Sequence, residues 1–289
     1  MELRVLRYFL VVARAQSISG AAHLLNISQP TLSRQIKELE EVLGVTLFRR
    51  GNRKITLTDE GMLLRKRAEQ IVDLVQKTED EFAAVEDSIS GTIHIGGGET
   101  HAFQMLAKLI RDIVEQYPDI RIHLFSANAE DVTERLDKGL VDFGLIIGTF
   151  DVSKYDYTRL SVIDRWGVLM RKDSPLAALD AIHPEDLWGL PLICSRRVME
   201  NGQLSNWLKA DSKRLNVVVV YNLLYNASLL VEAGVGYALC IDSIINTTGD
   251  ANLCFRPLKP SLESHVHLVW KKYQVFSKAS KIFLEKIQR

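Results

Sequence analysis

The sequence is poor in cysteine and has no long apolar run. Its three cysteines, Cys194, Cys240 and Cys254, are an odd number without C-x-x-C spacing, which argues against a disulfide framework and a structural zinc site. We therefore expect reduced, mostly buried thiols and no metal or cofactor. No stretch of about 18 apolar residues occurs, and the apolar run near the N-terminus lacks the cleavage site of a secretory signal. We expect a cytoplasmic protein that does not interact with a membrane.

Net charge is zero over the whole chain, but the charges are unevenly distributed. Residues 1–67 hold 12 Lys and Arg against 6 Asp and Glu, whereas the remainder holds 24 against 30. A basic N-terminal quarter on an acidic body indicates a nucleic-acid-binding segment joined to a part that does not bind nucleic acid. Chance clustering of charge is the alternative.

The first 44 residues have the pattern of three short helices. An apolar stripe with spacings of three and four predicts the first helix, and small apolar residues favour a second one; these positions are Leu3, Leu6, Phe9, Leu10, Ala13, Ala21, Ala22, Leu24 and Leu25. Asn26 and Ile27 interrupt the pattern. Ser28 is a good N-cap for a third helix, Pro30 suits its first turn, and Gly44 ends it.

A helix that follows another after a three-residue turn can lie in the major groove of DNA. The outward side chains of the third helix suit base edges and phosphates; they are Gln29, Thr31, Ser33, Arg34 and Lys37. The alternative is a helical hairpin with a solvated polar face.

A basic hairpin follows this helix pair. Leu47 and Phe48 can fill the core. Four cations surround the turn residues Gly51 and Asn52, namely Arg49, Arg50, Arg53 and Lys54. Four cations on a tight turn repel one another unless a polyanion neutralises them, which favours contact with phosphates.

From residue 59 the sequence predicts a long helix with a heptad seam. The seam positions are Leu64, Ala68, Ile71, Val75, Thr78, Phe82, Val85 and Ile89. Such a pattern is typical of helices that pair with each other, and we interpret residues 59–89 as a dimerising linker between a winged helix-turn-helix at 1–58 and a third part at 90–289. The alternative is a helix packed along its own chain.

The stretches FLVVARAQSISGAAHLLNISQPTLSRQIKELEEVLGVTLFRR and ITLTDEG resemble the N-terminal pattern of the LysR-type transcriptional regulators. The resemblance continues in domain order and length. It implies a homodimer or homotetramer that binds an interrupted palindrome in double-stranded DNA. It also implies an effector domain similar to periplasmic binding proteins. By this resemblance Gln29, Pro30, Ser33 and Arg34 open the recognition helix, and the wing arginines contact the DNA backbone.

Strands and helices alternate after residue 90, which predicts parallel sheets with right-handed crossovers. We expect an α/β fold of two Rossmann-like lobes, with lobe I at about 90–160 and 266–289 and lobe II at about 161–265. Two crossing strands would make a hinged cleft between the lobes.

Ligands of open α/β sheets bind beyond the carboxyl ends of the strands. The candidate effector-binding residues at those ends are Gly98, Glu99, Thr100, His101, Thr149, Ser195, Arg196 and Met199. Thr100 resembles a family position that contacts effectors. Glu99 would repel an anion, whereas Arg196 and Arg197 would attract one. The alternatives are a simple tight turn at 96–98 and a solvated arginine loop.

No catalytic motif is recognisable, so we expect no catalytic residues. A Cys194 nucleophile with a distant histidine, or a Cys194 redox switch, is conceivable, but a buried thiol explains the residue more simply. A solute-binding protein would account only for the two lobes. An enzyme would explain neither the basic N-terminal part nor the two lobes. A ligand-controlled DNA-binding regulator accounts for the basic N-terminus, wing, heptads and lobes together.

Overall fold

The computed structural model describes residues 1–50, 54–82, 89–200, 202–209 and 212–288. The chain divides into two compact units, Met1–Ala83 and Ala84–Arg289. Among the described helices, none has the length and apolar content needed to cross a membrane.

The first unit consists of helices and one short hairpin. Its elements are α1 (Leu3–Ala15), α2 (Ile18–Leu24), α3 (Gln29–Leu43), β1 (Phe48–Arg50), β2 (Ile55–Leu57) and α4 (Asp59–Phe82). The predicted ends of the third helix are confirmed. The Ser28 hydroxyl accepts a hydrogen bond from the Thr31 amide at 3.3 Å, and Gly44 ends α3 with a φ of +68° that favours glycine.

The core of this unit forms where the helices meet the hairpin. The rings of Phe9 and Phe48 lie 5.2 Å apart, and Leu32 and Ile36 of α3 are buried. Leu43 is exposed, because it lies at the end of the helix.

Helix α4 contributes to the same core, which corrects part of the predicted heptad seam. Ala68 is fully buried and Leu64 packs beside it, both within their own unit. These two positions are therefore not available to a second chain. Exposed apolar side chains lie elsewhere on the helix, at Met62, Leu63, Ile71 and Leu74. The seam position Val85 is outside the described residues, and so is the side chain of Phe82.

The second unit alternates strands and helices. Its strands are β3 (Gly91–Gly97), β4 (Ile120–Ser126), β5 (Phe143–Ile147), β6 (Tyr155–Arg171), β7 (Leu192–Ser195), β8 (Val217–Tyr221), β9 (Tyr237–Ile241), β10 (Leu253–Pro257) and β11 (Glu263–Lys271). Its helices are α5 (Phe103–Gln116), α6 (Ala129–Asp137), α7 (Arg196–Glu200), α8 (Gln203–Leu208), α9 (Leu224–Glu232) and α10 (Lys278–Ile287).

Two α/β lobes are joined through a shared long strand, as predicted. In lobe I, β3 pairs in parallel with β4 and β5; in lobe II, β7 pairs in parallel with β8 and β9. β6 pairs with β11 up to Arg165 and with β9 from Trp166 onward. The chain thus crosses between lobes inside one continuous strand, a few residues later than the sequence indicates.

Each lobe has its own core. In lobe I, Phe143 packs against Phe283 with ring centroids 4.8 Å apart, and in lobe II Leu192 and Leu204 are fully buried. After His183 the chain forms only a single 3-10 turn, Pro184–Leu187. Pro191 follows after a left-handed Gly189, and a proline lacks the amide that a longer helix would use.

Candidate DNA-binding surface and effector cleft

The start of α3 presents polar side chains to solvent. Gln29, Pro30, Thr31, Arg34 and Lys37 are exposed, and Ser33 is half-buried. The first turn of α3 contains no acidic residue, so its free backbone amides and partial positive charge can attract phosphate.

Two cations of α3 have acidic neighbours one turn later. Arg34 lies 3.6 Å from Glu38 and Lys37 lies 3.5 Å from Glu41, both measured between charged atoms. Both pairs are exposed, and water screens such pairs strongly. The cations can therefore exchange these partners for phosphates or base edges.

The hairpin after α3 is held in place by a buried set of backbone contacts. One Glu40 carboxylate oxygen accepts hydrogen bonds from the amides of Leu47 and Phe48, at 2.7 and 3.2 Å. The Ile55 amide donates to the Gln16 carbonyl at 3.0 Å. Gly61 packs so closely that a Cβ atom would lie 2.2 Å from the Leu47 carbonyl oxygen. The wing is thus fixed to both α1 and α3.

The wing cations are partly within the described residues. Arg49 and Lys54 are exposed on either side of the hairpin turn. Arg50 ends β1, and Arg53 lies outside the described residues.

In the second unit a cleft lies between the two lobes, with about 740 Å³ of space between protein atoms, part of it open to solvent. The lining residues are Gly98, Glu99, Asn128, Ala129, Leu145, Ile147, Trp166, Ser195, Arg197, Val198, Gln203, Tyr221, Asn222, Leu224, Ile241, Ile244 and Ser264.

Glu99 is the acidic residue of this cleft. It follows β3 in lobe I, and its Oε2 accepts a hydrogen bond from the Leu224 amide, the first residue of α9 in lobe II. The N-cap position of α9, Leu223, offers no side-chain acceptor. A carboxylate from the opposite lobe therefore caps this helix, where the helix dipole favours negative charge.

Arg197 is the basic residue of the cleft. It belongs to α7 in lobe II, and its Nη2 donates to the Thr149 carbonyl of lobe I. Burial lowers the pKa of the half-buried guanidinium, and the Glu130 carboxylate acts in the opposite direction. The two charged side chains thus each reach across the cleft to a backbone group of the other lobe.

Of the predicted effector-binding residues, Gly98, Glu99 and Ser195 line the cavity, whereas Thr100 does not. The Thr100 side chain is buried and its hydroxyl donates to the carboxylate of Asp164. Because Asp164 holds this hydroxyl, Thr100 lies outside the cavity in this structure, and its role as an effector contact stays a prediction.

The other predicted positions also lie outside the cavity. His101 is exposed, Thr149 takes part only through its carbonyl bond to Arg197, and Met199 packs against the lobe II core. Arg196 is exposed at the polar mouth of the cleft, beside Asn128 and Asn222. Helix α7 turns one arginine of the pair into the cleft and the other away from it.

Four polar lining residues were not predicted from the sequence, namely Asn128, Gln203, Asn222 and Ser264. Asn128 could have been predicted, because it comes soon after strand β4 and is the N-cap of α6. Its side chain accepts a hydrogen bond from the Asp131 amide at 2.9 Å. Ser264 could not, since its place depends on the long-range pairing of β11 with β6.

The cysteines are buried thiols, as expected. Cys194 lies in the core of lobe II rather than on the cleft surface, and burial raises its pKa to about 12. Among the described residues, no group of three or more His, Cys, Asp or Glu side chains is placed to hold a metal ion.

Comparisons with known proteins agree with this architecture. Residues 3–62 match the family model of the bacterial regulatory helix-turn-helix proteins of the lysR family, and residues 86–289 match the LysR substrate binding domain. The HTH-type transcriptional regulator BsdA of Bacillus subtilis is 31% identical over 220 residues, which cover 75% of this chain and 74% of BsdA. The regulator YvbU of the same species is 28% identical over 289 residues, or 99% of this chain and 97% of YvbU.

Solved structures share the fold. CbnR, a LysR family transcriptional regulator, superposes with a TM-score of 0.78 at 20% identity, covering 100% of this chain and 99% of CbnR. CbnR in complex with its target DNA superposes with a TM-score of 0.75. The predicted α/β fold and the family resemblance are confirmed, and the chain belongs to the LysR family of DNA-binding transcriptional regulators, with the family's effector-binding domain after its helix-turn-helix.

Proposed function

We propose that this regulator reads promoter DNA with the start of α3 and the wing, and that a small molecule in the cleft between the lobes controls its effect on transcription. The observation that carries the proposal is the cavity itself. It takes lining residues from both lobes, including one charged side chain from each, Glu99 and Arg197. A ligand there contacts both sides of the hinge.

The DNA-contacting side chains in this proposal are those at the start of α3, with Arg34 reaching a base edge and Lys37 a phosphate. Arg49, Arg50, Arg53 and Lys54 of the wing neutralise the DNA backbone. The fixed position of the hairpin supports this assignment, because Glu40 and Gln16 hold both wing strands against the helices. CbnR, which shares the fold, has been solved with its target DNA.

Effector control depends on the crossing between the lobes, part of which is the continuous strand β6. A ligand shifts a two-lobe equilibrium only if it binds the open and closed arrangements with different affinity. Glu99 and Arg197 each form a bond to the opposite lobe, and a ligand that engages them acts on the contacts that hold the lobes together.

Assembly as a homodimer, or as a dimer of dimers, is part of the proposal. Helix α4 carries exposed apolar side chains at Leu63, Ile71 and Leu74, which are spaced by eight and three residues and share one side of the helix. A second copy of α4 is the occupant that we assign to this side, because apolar stripes on long helices bury themselves by pairing.

We also propose that the chain regulates and does not catalyse, and that it works in the cytoplasm beside the DNA it binds. The strongest candidate nucleophile, Cys194, is fully buried with a raised pKa. A thiol in that state is a poor nucleophile and a poor redox sensor.

The test begins with selection of bound duplexes from a random-sequence library by the full chain, followed by affinity measurements on the selected sequence. Arg34→Ala should lose about 1–3 kcal/mol of specific binding and relax base preference at one position in each half-site. Arg111→Ala is the matched control, because Arg111 is exposed on α5 in the second unit.

The proposal for α3 fails if the wild-type chain selects no sequence, or if Arg34→Ala keeps the affinity and base preference of the wild type. The proposal for the cleft has its own test. Ile147→Trp, at a half-buried position of the cavity wall, should fill the cavity, and it should abolish the response of a reporter promoter to cell extract or to any identified ligand, while leaving DNA affinity unchanged.

A further inference from the structure

We infer that the ligand of the cleft is a small zwitterion that carries a protonated amine and a carboxylate, as free amino acids do. The inference rests on the proposed effector site and names its ligand class. It starts from the two charged residues of the cavity, which have opposite sign and lie on opposite lobes.

Glu99 has an unused acceptor. Its Oε2 accepts the Leu224 amide, whereas its Oε1 has no hydrogen-bond partner among the described residues. The side chain is half-buried and lines the cavity. An ammonium group of a ligand can therefore donate to the free oxygen without breaking the cap on α9.

Arg197 has unused donors. Its Nη2 bonds to the Thr149 carbonyl, and within the described part of the chain Nε and Nη1 have no partner. The guanidinium contacts a neutral carbonyl instead of a carboxylate. Burial of such a charge is costly until an anion pairs with it.

The two charges do not neutralise each other directly. No ion pair joins Glu99 or Arg197 to any described residue within 4.0 Å. A ligand with only a carboxylate would gain Arg197 but meet repulsion from Glu99. A ligand with only an amine would gain Glu99 but meet repulsion from Arg197. An uncharged ligand would leave Oε1 of Glu99 and the Nε and Nη1 donors of Arg197 without an oppositely charged partner. A zwitterion satisfies both sides of the cleft at once.

The rest of the lining suits the body of such a molecule. Apolar side chains of Leu145, Ile147, Val198 and Ile241 form one part of the wall. The indole N–H of Trp166 is already bonded to the Ser264 hydroxyl at 2.9 Å. The Trp166 ring therefore offers an apolar surface, on which an aliphatic or aromatic side chain of the ligand can pack.

The experiment screens the twenty standard amino acids against the full chain by thermal shift and measures the best binder by calorimetry. Its decarboxylated amine and its deaminated acid are then measured in the same buffer; for leucine these are 3-methylbutylamine and 4-methylpentanoate. We expect the amino acid to bind at least tenfold more tightly than either derivative.

Two variants test which charged side chain binds which charged group of the ligand. Glu99→Gln should lower the affinity for the amino acid at least tenfold. The affinity for the deaminated acid should change less than threefold or should increase. Arg197→Met should lower the affinity for the amino acid by a similar factor and should leave the affinity for the decarboxylated amine nearly unchanged. Glu200→Gln, at the exposed end of α7 outside the cavity, is the control and should change neither affinity. Glu99→Asp keeps the charge and provides a second variant if Glu99→Gln fails to fold.

Failure of the inference is distinguishable from failure of the proposed function. If no amino acid binds, or if the acid or the amine alone binds as tightly as the amino acid, the zwitterion assignment is wrong. If Ile147→Trp also leaves the promoter response intact, the cleft itself is not the effector site. A binder unaffected by both Glu99→Gln and Arg197→Met also overturns the inference.

Discussion

The Thr100 hydroxyl hydrogen-bonds to both carboxylate oxygens of Asp164, at 2.9 Å from Oδ1 and 2.7 Å from Oδ2. Thr100 precedes α5 in lobe I, and Asp164 lies on β6 two residues before the strand enters lobe II pairing at Trp166. Asp164 is only 2% exposed. Burial raises the pKa of its carboxyl group, whereas the Thr100 hydrogen bond and His101 act to lower it.

The raised pKa of Asp164 makes stability fall as pH rises. The folded chain holds the Asp164 proton more tightly than the unfolded chain, whose carboxyl titrates near pH 3.9. The contribution to unfolding free energy is therefore fully present below that pH and is lost as pH rises through the folded pKa. Asp164→Asn removes this loss. The difference in unfolding free energy, variant minus wild type, should grow from about pH 4 upward and then level off.

Urea denaturation of both proteins at a series of pH values measures this difference. Asp156→Asn, at an exposed position of the same strand, is the control and should show no such growth. A difference for Asp164→Asn that is constant over the whole range would contradict the prediction.

Replacement of Thr100 by valine removes the hydroxyl from a buried carboxylate and retains the shape of the side chain. A lost hydrogen bond to a charged group costs about 1–3 kcal/mol, so Thr100→Val should lower the unfolding free energy by that amount at neutral pH. Ligand affinity should change much less than in Glu99→Gln, because Thr100 does not line the cavity. A Thr100→Val chain with wild-type stability and no ligand binding would instead make Thr100 a direct contact.

Local sequence patterns predicted the first unit well. Ser28, Pro30 and Gly44 set the ends of α3 through capping and backbone geometry, and such effects act within a few residues.

The residues that line the cleft could not be predicted from local sequence, because long-range geometry decides which side chains face it. Whether Arg196 or Arg197 faces the cavity is decided by the start of α7, which follows the strand β7 directly. The partner of Thr100, Asp164, is 64 residues away. No periodicity encodes such a contact. The heptad seam was misplaced at Ala68 because a regular apolar repeat fits a partner helix and the chain's own α1 equally well.

The carboxylate of Glu40 connects α3 to the wing. Glu40→Ala leaves the amides of Leu47 and Phe48 without their acceptor, and an unsatisfied buried amide costs about 1–3 kcal/mol. We expect lower stability of the first unit and weaker DNA binding at every sequence, because the wing shifts. Glu40→Gln keeps one acceptor oxygen and should have a smaller effect. Denaturation and binding assays on the full chain measure both, and an unchanged midpoint for Glu40→Ala would exclude this role.

If α3 contacts DNA as proposed, Glu38 and Glu41 compete with DNA for the cations of this helix. They lie beside Arg34 and Lys37 on an exposed face, where DNA phosphates would approach. Glu38→Gln and Glu41→Gln should each raise DNA affinity severalfold at low salt, since like charges repel and salt screens them. Glu69→Gln removes a similar carboxylate beside Arg65 on α4 and should have little effect. Equal affinities for all three variants and wild type would argue against α3 as the DNA-facing helix.

Substitution of Leu74 tests whether two chains pair through α4. It is 43% exposed on α4 and lies one turn from Ile71, which is 38% exposed. If two copies of α4 pair through this side, Leu74→Asp places a carboxylate in an apolar contact opposite its twin, and burial of an unpaired charge is strongly unfavourable. Dimerisation should weaken more than tenfold, and affinity for a two-half-site DNA should fall with it.

Gln76→Asp adds the same charge on another side of the helix and is the control. Sedimentation over a range of concentrations measures both variants; an unchanged dimer for Leu74→Asp would show that the chains associate through a different surface, such as the α/β lobes.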